Sequence, residues 1–147
     1  MNTTYSPTLD VDGITGPDSP YPSATVCGDI IYVSGQVSFA DDGSVAGIGD
    51  VAVQTQCSLE RLARILSVFG ATLDNVVSCT VYLTDAAHAG VFNQAWVTAF
   101  GGHRPSRATV VSGLLDPRLL VEVQAIARVP QGHIPQGGIA PGLQEPK

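Results

Sequence analysis

Charge is scarce in this chain. Only 14% of its 147 residues are Asp, Glu, Lys or Arg, against about a quarter in an ordinary domain. Low charge of this kind hints that part of the surface is covered by partner subunits. Basic charge is scarcest. Seven Lys and Arg face thirteen Asp and Glu, giving a formal net charge of −6, and the basic residues form no run. A nucleic-acid binder presents a basic face, so RNA or DNA binding is disfavoured. No apolar run approaches the length that crosses a membrane. Residues 1–12 are polar, with neither a basic nor an apolar signal region. The reading is therefore a cytoplasmic protein without membrane association.

Metal-binding patterns are missing too. Cys27, Cys57 and Cys79 are odd in number and widely spaced, with no Cys-x-x-Cys and no His–Cys spacing. They read as buried, reduced thiols. His88, His103 and His133 share no ligand spacing. No phosphate-binding glycine loop and no Gly-x-Ser-x-Gly elbow occur.

What is present fits a single domain. Hydrophobic residues make up 44% of the chain, enough for a core. Residues 1–18 read as an N-terminal arm within a domain spanning 1–129, and the arm holds at most one short strand. Ala24-Thr25-Val26, a Gly28-Asp29 turn and Ile30 to Ser34 read as a hairpin. Asp50 is placed to cap a long helix whose apolar residues are Val51, Thr55, Leu59, Leu62, Leu66 and Phe69. Gln54, Glu60, Arg61 and Arg64 fall mostly on its other faces, and Gly70 supplies the stop. Val76 to Leu83 is a β-branched strand. Asp85 caps a second helix, about 86–100, closed by Gly101-Gly102. Residues 130–147 hold four of the ten prolines. They read as a flexible Pro/Gly-rich tail.

This order, β-β-α-β-α-β-β, implies an α+β sandwich with two helices on one face of a sheet. The strands carry Val, Ile and Leu on both faces, which predicts an oligomer built on the uncovered face.

Two C-terminal segments carry the chemistry. Arg104-Pro105-Ser106-Arg107-Ala108-Thr109-Val110-Val111 and Leu119-Leu120-Val121-Glu122-Val123-Gln124-Ala125-Ile126-Ala127 each read as a buried strand with a charged side chain inside it. A buried charge is costly unless it is paired, hydrogen-bonded or waiting for a ligand. Alternation puts Arg107 and Thr109 on one face, and Ala108 and Val110 on the other. A guanidinium fork suits a carboxylate. A carboxylate in Glu122's apolar setting has a raised pKa and suits acid–base work. A structural ion pair is the competing reading for both residues. Gly35, between Ser34 and Gln36, would let a ligand approach the backbone, or would mark a bulge.

These blocks, with Pro20-Tyr21, Ile31-Tyr32-Val33-Ser34-Gly35-Gln36, Asp74-Asn75-Val76-Val77, Thr80-Val81-Tyr82-Leu83-Thr84-Asp85 and Val91-Phe92-Asn93, resemble the RidA or YjgF/YER057c/UK114 family of reactive-intermediate deaminases. The resemblance spans residues 19–129. It implies a chorismate-mutase-like fold and a homotrimer closed around a central barrel, with sites in the clefts between subunits. It implies hydrolysis of imine and enamine carboxylates such as 2-iminopropanoate and 2-aminoacrylate to 2-oxo acids and ammonia, without a metal or organic cofactor. By resemblance, Arg107 binds the carboxylate and Glu122 orients the attacking water. Tyr21, Ser34, Gly35, Asn93 and Thr109 line the pocket. The chain departs from the common pattern at Ser19, Gln124 and the loop 113–118. That leaves room for a larger substrate in a specialised pathway, or for a trimer that binds small molecules in a regulatory role without catalysis.

Overall fold

In a computed structural model, which describes residues 7–131, the chain forms one six-stranded sheet. The expected tail lies largely outside the described residues, as do residues 1–6. Thr8–Leu9 (β1), Ala24–Cys27 (β2) and Ile30–Val37 (β3) are antiparallel neighbours. The β2–β3 hairpin turns on Gly28 and Asp29, with Gly28 at φ 61°. A two-residue turn with glycine first uses that φ because side-chain-bearing residues avoid it. Val51–Ser67 (α1) follows, then Val76–Leu83 (β4), Ala89–Phe100 (α2), Ser106–Val111 (β5) and Val121–Arg128 (β6). The strands lie in the order β1-β2-β3-β6-β4-β5. β4 and β5 are parallel, with α2 as the crossover between them, and the other pairings are antiparallel. No helix among the described residues is long and apolar enough to cross a membrane.

The caps sit close to where local chemistry puts them. The Asp50 side chain accepts from Val53 N at 3.1 Å. α1 ends at Ser67, and Gly70 (φ 65°) completes the turn that reverses the chain. Asp85 caps a short 3-10 turn, Ala86–His88, so the α-helix proper begins only at Ala89.

One face of the sheet is the core. Ile31, Val33, Val81, Leu83, Val121, Val123, Ala125 and Ala127 are all at most 1% exposed and pack under the helices. Burial of this kind contributes about 25 cal/mol per Å² of apolar surface and holds the two layers together. The opposite face is more polar than the sequence suggests. Its strand positions include Tyr32, Thr80, Tyr82, Glu122, Gln124 and Arg128 beside the aliphatic Ile126.

Three further expectations need correction. β5 is not buried, because every one of its residues is exposed. Among the described residues it is an edge strand paired only with β4, with the other side of its backbone unpaired there. Gln54 and Arg61 do not face away from the core but are 0% and 8% exposed. Each is admitted because it finds buried backbone or amide partners. Cys27 is exposed at the hairpin end, Cys57 is intermediate, and only Cys79 is buried.

Candidate functional site

Arg107 and Glu122 lie on opposite faces of the sheet. Arg107 is paired in register with Cys79, whose side chain points into the core under the helices. Glu122 alternates with the core residues Val121 and Val123, and its register partners are Val37 and Tyr82. The sequence places these two groups at one substrate, but within one chain they stand on opposite faces of the sheet.

The arginine half rests on α2. The Arg107 guanidinium stands 5.1 Å from the ring centroid of Phe92 and 4.9 Å from that of Trp96. One of its amino groups donates to Asn93 Oδ1 at 2.7 Å. Phe92, Asn93 and Trp96 reach the same spot because residues three and four apart share a helix face. Stacking on two rings contributes about 0.5–2 kcal/mol and fixes the plane of the fork. Among the described residues no carboxylate lies within ion-pair distance of Arg107. Partial burial draws its pKa down while the nearby Cys79 opposes this, and the group stays charged. The same burial pushes the Cys79 thiol up to about 12, so Cys79 is inert there. Thr109 shares Arg107's side of β5 and is exposed.

The glutamate half sits mid-sheet. Glu122 lines a cavity of about 310 Å³ with Gly35, Tyr82, Gln124 and the loop 112–115. Burial alone holds its carboxyl above the usual carboxylate range. The register of β3 on β6 shifts between Val33 and Gln36, so Ser34 and Gly35 form a bulge there. Gly35 leaves room for the Glu122 carboxylate, which a Cβ at that position would push aside. The bulge reading of this glycine holds, and the group that approaches its backbone is the chain's own Glu122 carboxylate. Ser34 Oγ donates to Pro22 O at 2.7 Å, which ties the bulge to the residue after Tyr21. Tyr21 itself is 59% exposed.

Seven residues thus divide into two groups. Arg107, Asn93 and Thr109 lie with the helix-side half, while Glu122, Ser34 and Gly35 lie with the open-face half and Tyr21 stands beside them. Sequence reading missed Phe92 and Trp96, although their i, i+4 spacing around Asn93 was a usable signal. It also missed Tyr82 and Gln54, whose roles follow from strand register and long-range contact. Among the described residues no His, Cys, Asp and Glu cluster suits a metal ion.

A mixed sheet with two helices on one face is an α+β architecture seen in several solved structures. The chain overlays on RidA from the Antarctic bacterium Psychrobacter sp. with a TM-score of 0.75 at 26% identity, covering 83% of this chain and 98% of that one. It overlays on Rv2704 from Mycobacterium tuberculosis, a member of the YjgF/YER057c/UK114 family, with a TM-score of 0.69 at 30% identity, covering 84% and 100%. A curated relative, the 3-aminoacrylate deaminase RutC of Acinetobacter baylyi, is 36% identical over 118 residues, 80% of this chain and 94% of the relative. The family model described as Endoribonuclease L-PSP matches residues 14–129. The chain belongs to this family, the RidA or YjgF/YER057c/UK114 family.

Proposed function

We propose that the protein hydrolyses small imine and enamine carboxylates to 2-oxo acids and ammonia, at sites completed between copies of a homotrimer. The observation that carries this reading is the separation of Arg107 and Glu122. Among the described residues neither has a counter-ion, and they lie one on either face of the sheet. A second copy would bring a glutamate half to an arginine half. The deaminase activity named for the 36% identical relative supports the same chemistry.

The step needs little machinery. Arg107 holds the substrate carboxylate in a bidentate contact, its plane set by Phe92, Trp96 and Asn93. Glu122 accepts a proton from water as the oxygen adds to the imine carbon, and the C=N π pair moves to nitrogen. Glu122 returns that proton to the nitrogen to give the neutral carbinolamine, and the hydroxyl proton then passes to the nitrogen as the C–N bond breaks, ammonia leaves and the carbonyl forms. Backbone groups near Gly35 and Thr109 are placed to steady the tetrahedral carbon. A raised pKa makes Glu122 a stronger base once ionised.

The test is release of pyruvate and ammonia from enzymatically generated 2-aminoacrylate. Wild type is expected to accelerate release, and Arg107→Ala, assembled as wild type, to lose about a hundredfold or more in kcat/KM, the worth of two charged hydrogen bonds. No acceleration by wild type would leave a larger imine substrate or a binding or regulatory role.

Endoribonuclease activity is a second reading, favoured by the family model's description. The net charge of −6 weighs against it. RNA cleavage through phosphate contacts would fall steeply with salt, whereas turnover of a small imino acid would fall far less.

A further inference from the structure

Arg61 is a buried cation that forms no ion pair among the described residues. It projects from the middle of α1 and is 8% exposed. Its partners are neutral. Nε donates to Gln36 Oε1 at 3.2 Å, and an amino group donates to Phe39 O at 2.8 Å. The one carboxylate near it, Asp41, is engaged by Arg64 at 2.9 Å. Removing a guanidinium from water for two neutral acceptors is a poor bargain for stability alone.

The destination of those bonds is informative. Gln36 is 3% exposed, and its amide nitrogen donates to Ser34 O at 3.1 Å. The chain of contacts therefore runs from Arg61 through Gln36 to the carbonyl that opens the Ser34–Gly35 bulge. Gly35 is the residue against which the Glu122 carboxylate lies. Ser34 N still donates to Ser23 O at 3.0 Å, but on the β6 side the bulge has lost its regular ladder partners, so side-chain bonds help to set its shape there. The other wall of the pocket is held from the same helix. Gln54 donates to Arg118 O at 2.9 Å and accepts from Leu120 N at 2.7 Å, two residues before Glu122.

We propose that Arg61, acting through Gln36, is a positioning residue that fixes the Ser34–Gly35 bulge and thereby the placement of the Glu122 carboxylate. The proposal rests on the reading of Glu122 as the water-handling group. Removing the guanidinium frees the Gln36 amide to turn, relaxes the bulge and admits water beside Glu122. The groups that face Arg61 are Cys57 and Arg64 on its own helix, Asp41 in the loop after β3, and Tyr21. Tyr82 is the other titratable group lining the Glu122 cavity. None of them supplies a bond that replaces Arg61's.

The experiment compares wild type with Arg61→Met, Arg61→Lys, Gln36→Leu and the Met/Leu double variant. Met fills much of the volume without the charge, so the fold should survive. Arg61→Met is expected to keep the wild-type oligomer and Tm, to lose about tenfold in kcat with KM within about twofold, and to shift the acid limb of the kcat–pH profile to lower pH. Arg61→Lys should recover part of the loss. The double variant should lose no more than the worse single one, as coupled partners do. An unchanged pH profile in Arg61→Met, or fully additive losses, would overturn the proposal. A second readout needs no substrate. The Glu122 side-chain carboxyl carbon, titrated by NMR, should show a lower midpoint in Arg61→Met than in wild type, and an unmoved midpoint overturns the positioning role. Should the midpoint move while wild type hydrolyses no imino acid, the deaminase reading fails and the positioning role stands.

Discussion

The two halves of the candidate site solve opposite problems. Arg107 stands on an exposed edge strand, where a cation is cheap to keep charged but hard to hold still. Helix α2 supplies what it lacks, two rings and one amide oxygen. Glu122 stands near the middle of the sheet, where the backbone is rigid and the carboxylate is short of water. There the protein supplies space, by leaving Gly35 without a side chain. In the proposed deaminase a substrate anchor needs orientation and a base needs desolvation, and each residue would sit in the layer that provides its need.

The comparison can be broken most sharply by mixing subunits. Arg107→Ala and Glu122→Gln homo-oligomers should each be nearly inactive, since general-base loss costs about 10²–10⁴ in rate. Dissociated and reassembled at equal ratio, they should regain about a quarter of wild-type activity if each site takes its arginine from one copy and its glutamate from another. Steady-state turnover before and after mixing measures this. Recovery no greater than the sum of the parents would mean that both residues serve within one copy, against the geometry of the sheet.

A smaller effect tests the anchor alone. Asn93→Ala removes one neutral acceptor from a cation that keeps its two rings. About 1 kcal/mol, the ordinary worth of one hydrogen bond, predicts a KM rise of about fivefold with kcat little altered. A fall in kcat equal to the rise in KM would give Asn93 a part in the reaction itself.

How legible this was in the sequence differed between the halves. The run Leu120-Val121-Glu122-Val123 reads as a buried strand with one carboxylate inside it, and β6 does bury Val121 and Val123 with Glu122 half-buried between them. The same reasoning misjudged Arg104 to Val111. Its Val110-Val111 pair reads as core, yet edge position leaves both exposed. Edge or centre is a property of topology, and no local pattern encodes that β6 inserts between β3 and β4. Helix α1 misled for a related reason. Periodicity assigned Gln54 and Arg61 by polarity, whereas tertiary partners at residues 36, 39, 118 and 120 draw them inward. The caps at Asp50 and Asp85 were legible because they depend on neighbours two or three residues away.

The smallest predicted effect concerns stability, and its sign separates the halves once more. Burial raises the Glu122 pKa above its unfolded value, so the folded state binds that proton more tightly than the unfolded one does. Its contribution is therefore fully favourable below the unfolded carboxylate pKa and is lost as pH rises through the folded value. At neutral pH an ionised Glu122 burdens the fold. Glu122→Gln, which keeps the shape and removes the charge, should raise Tm at pH 7 by less than about 1 kcal/mol of stability, because the half-buried carboxylate is screened. The gap should close as pH falls below the ordinary carboxylate range. Arg107→Gln should show no such dependence over the same range, since the guanidinium does not titrate there. Thermal melts of both variants from pH 4 to 8 measure the difference. A Glu122→Gln variant less stable than wild type at pH 7 and no different at pH 4 would mean that the carboxylate is held by partners rather than desolvated. The glutamate half would then resemble the arginine half after all.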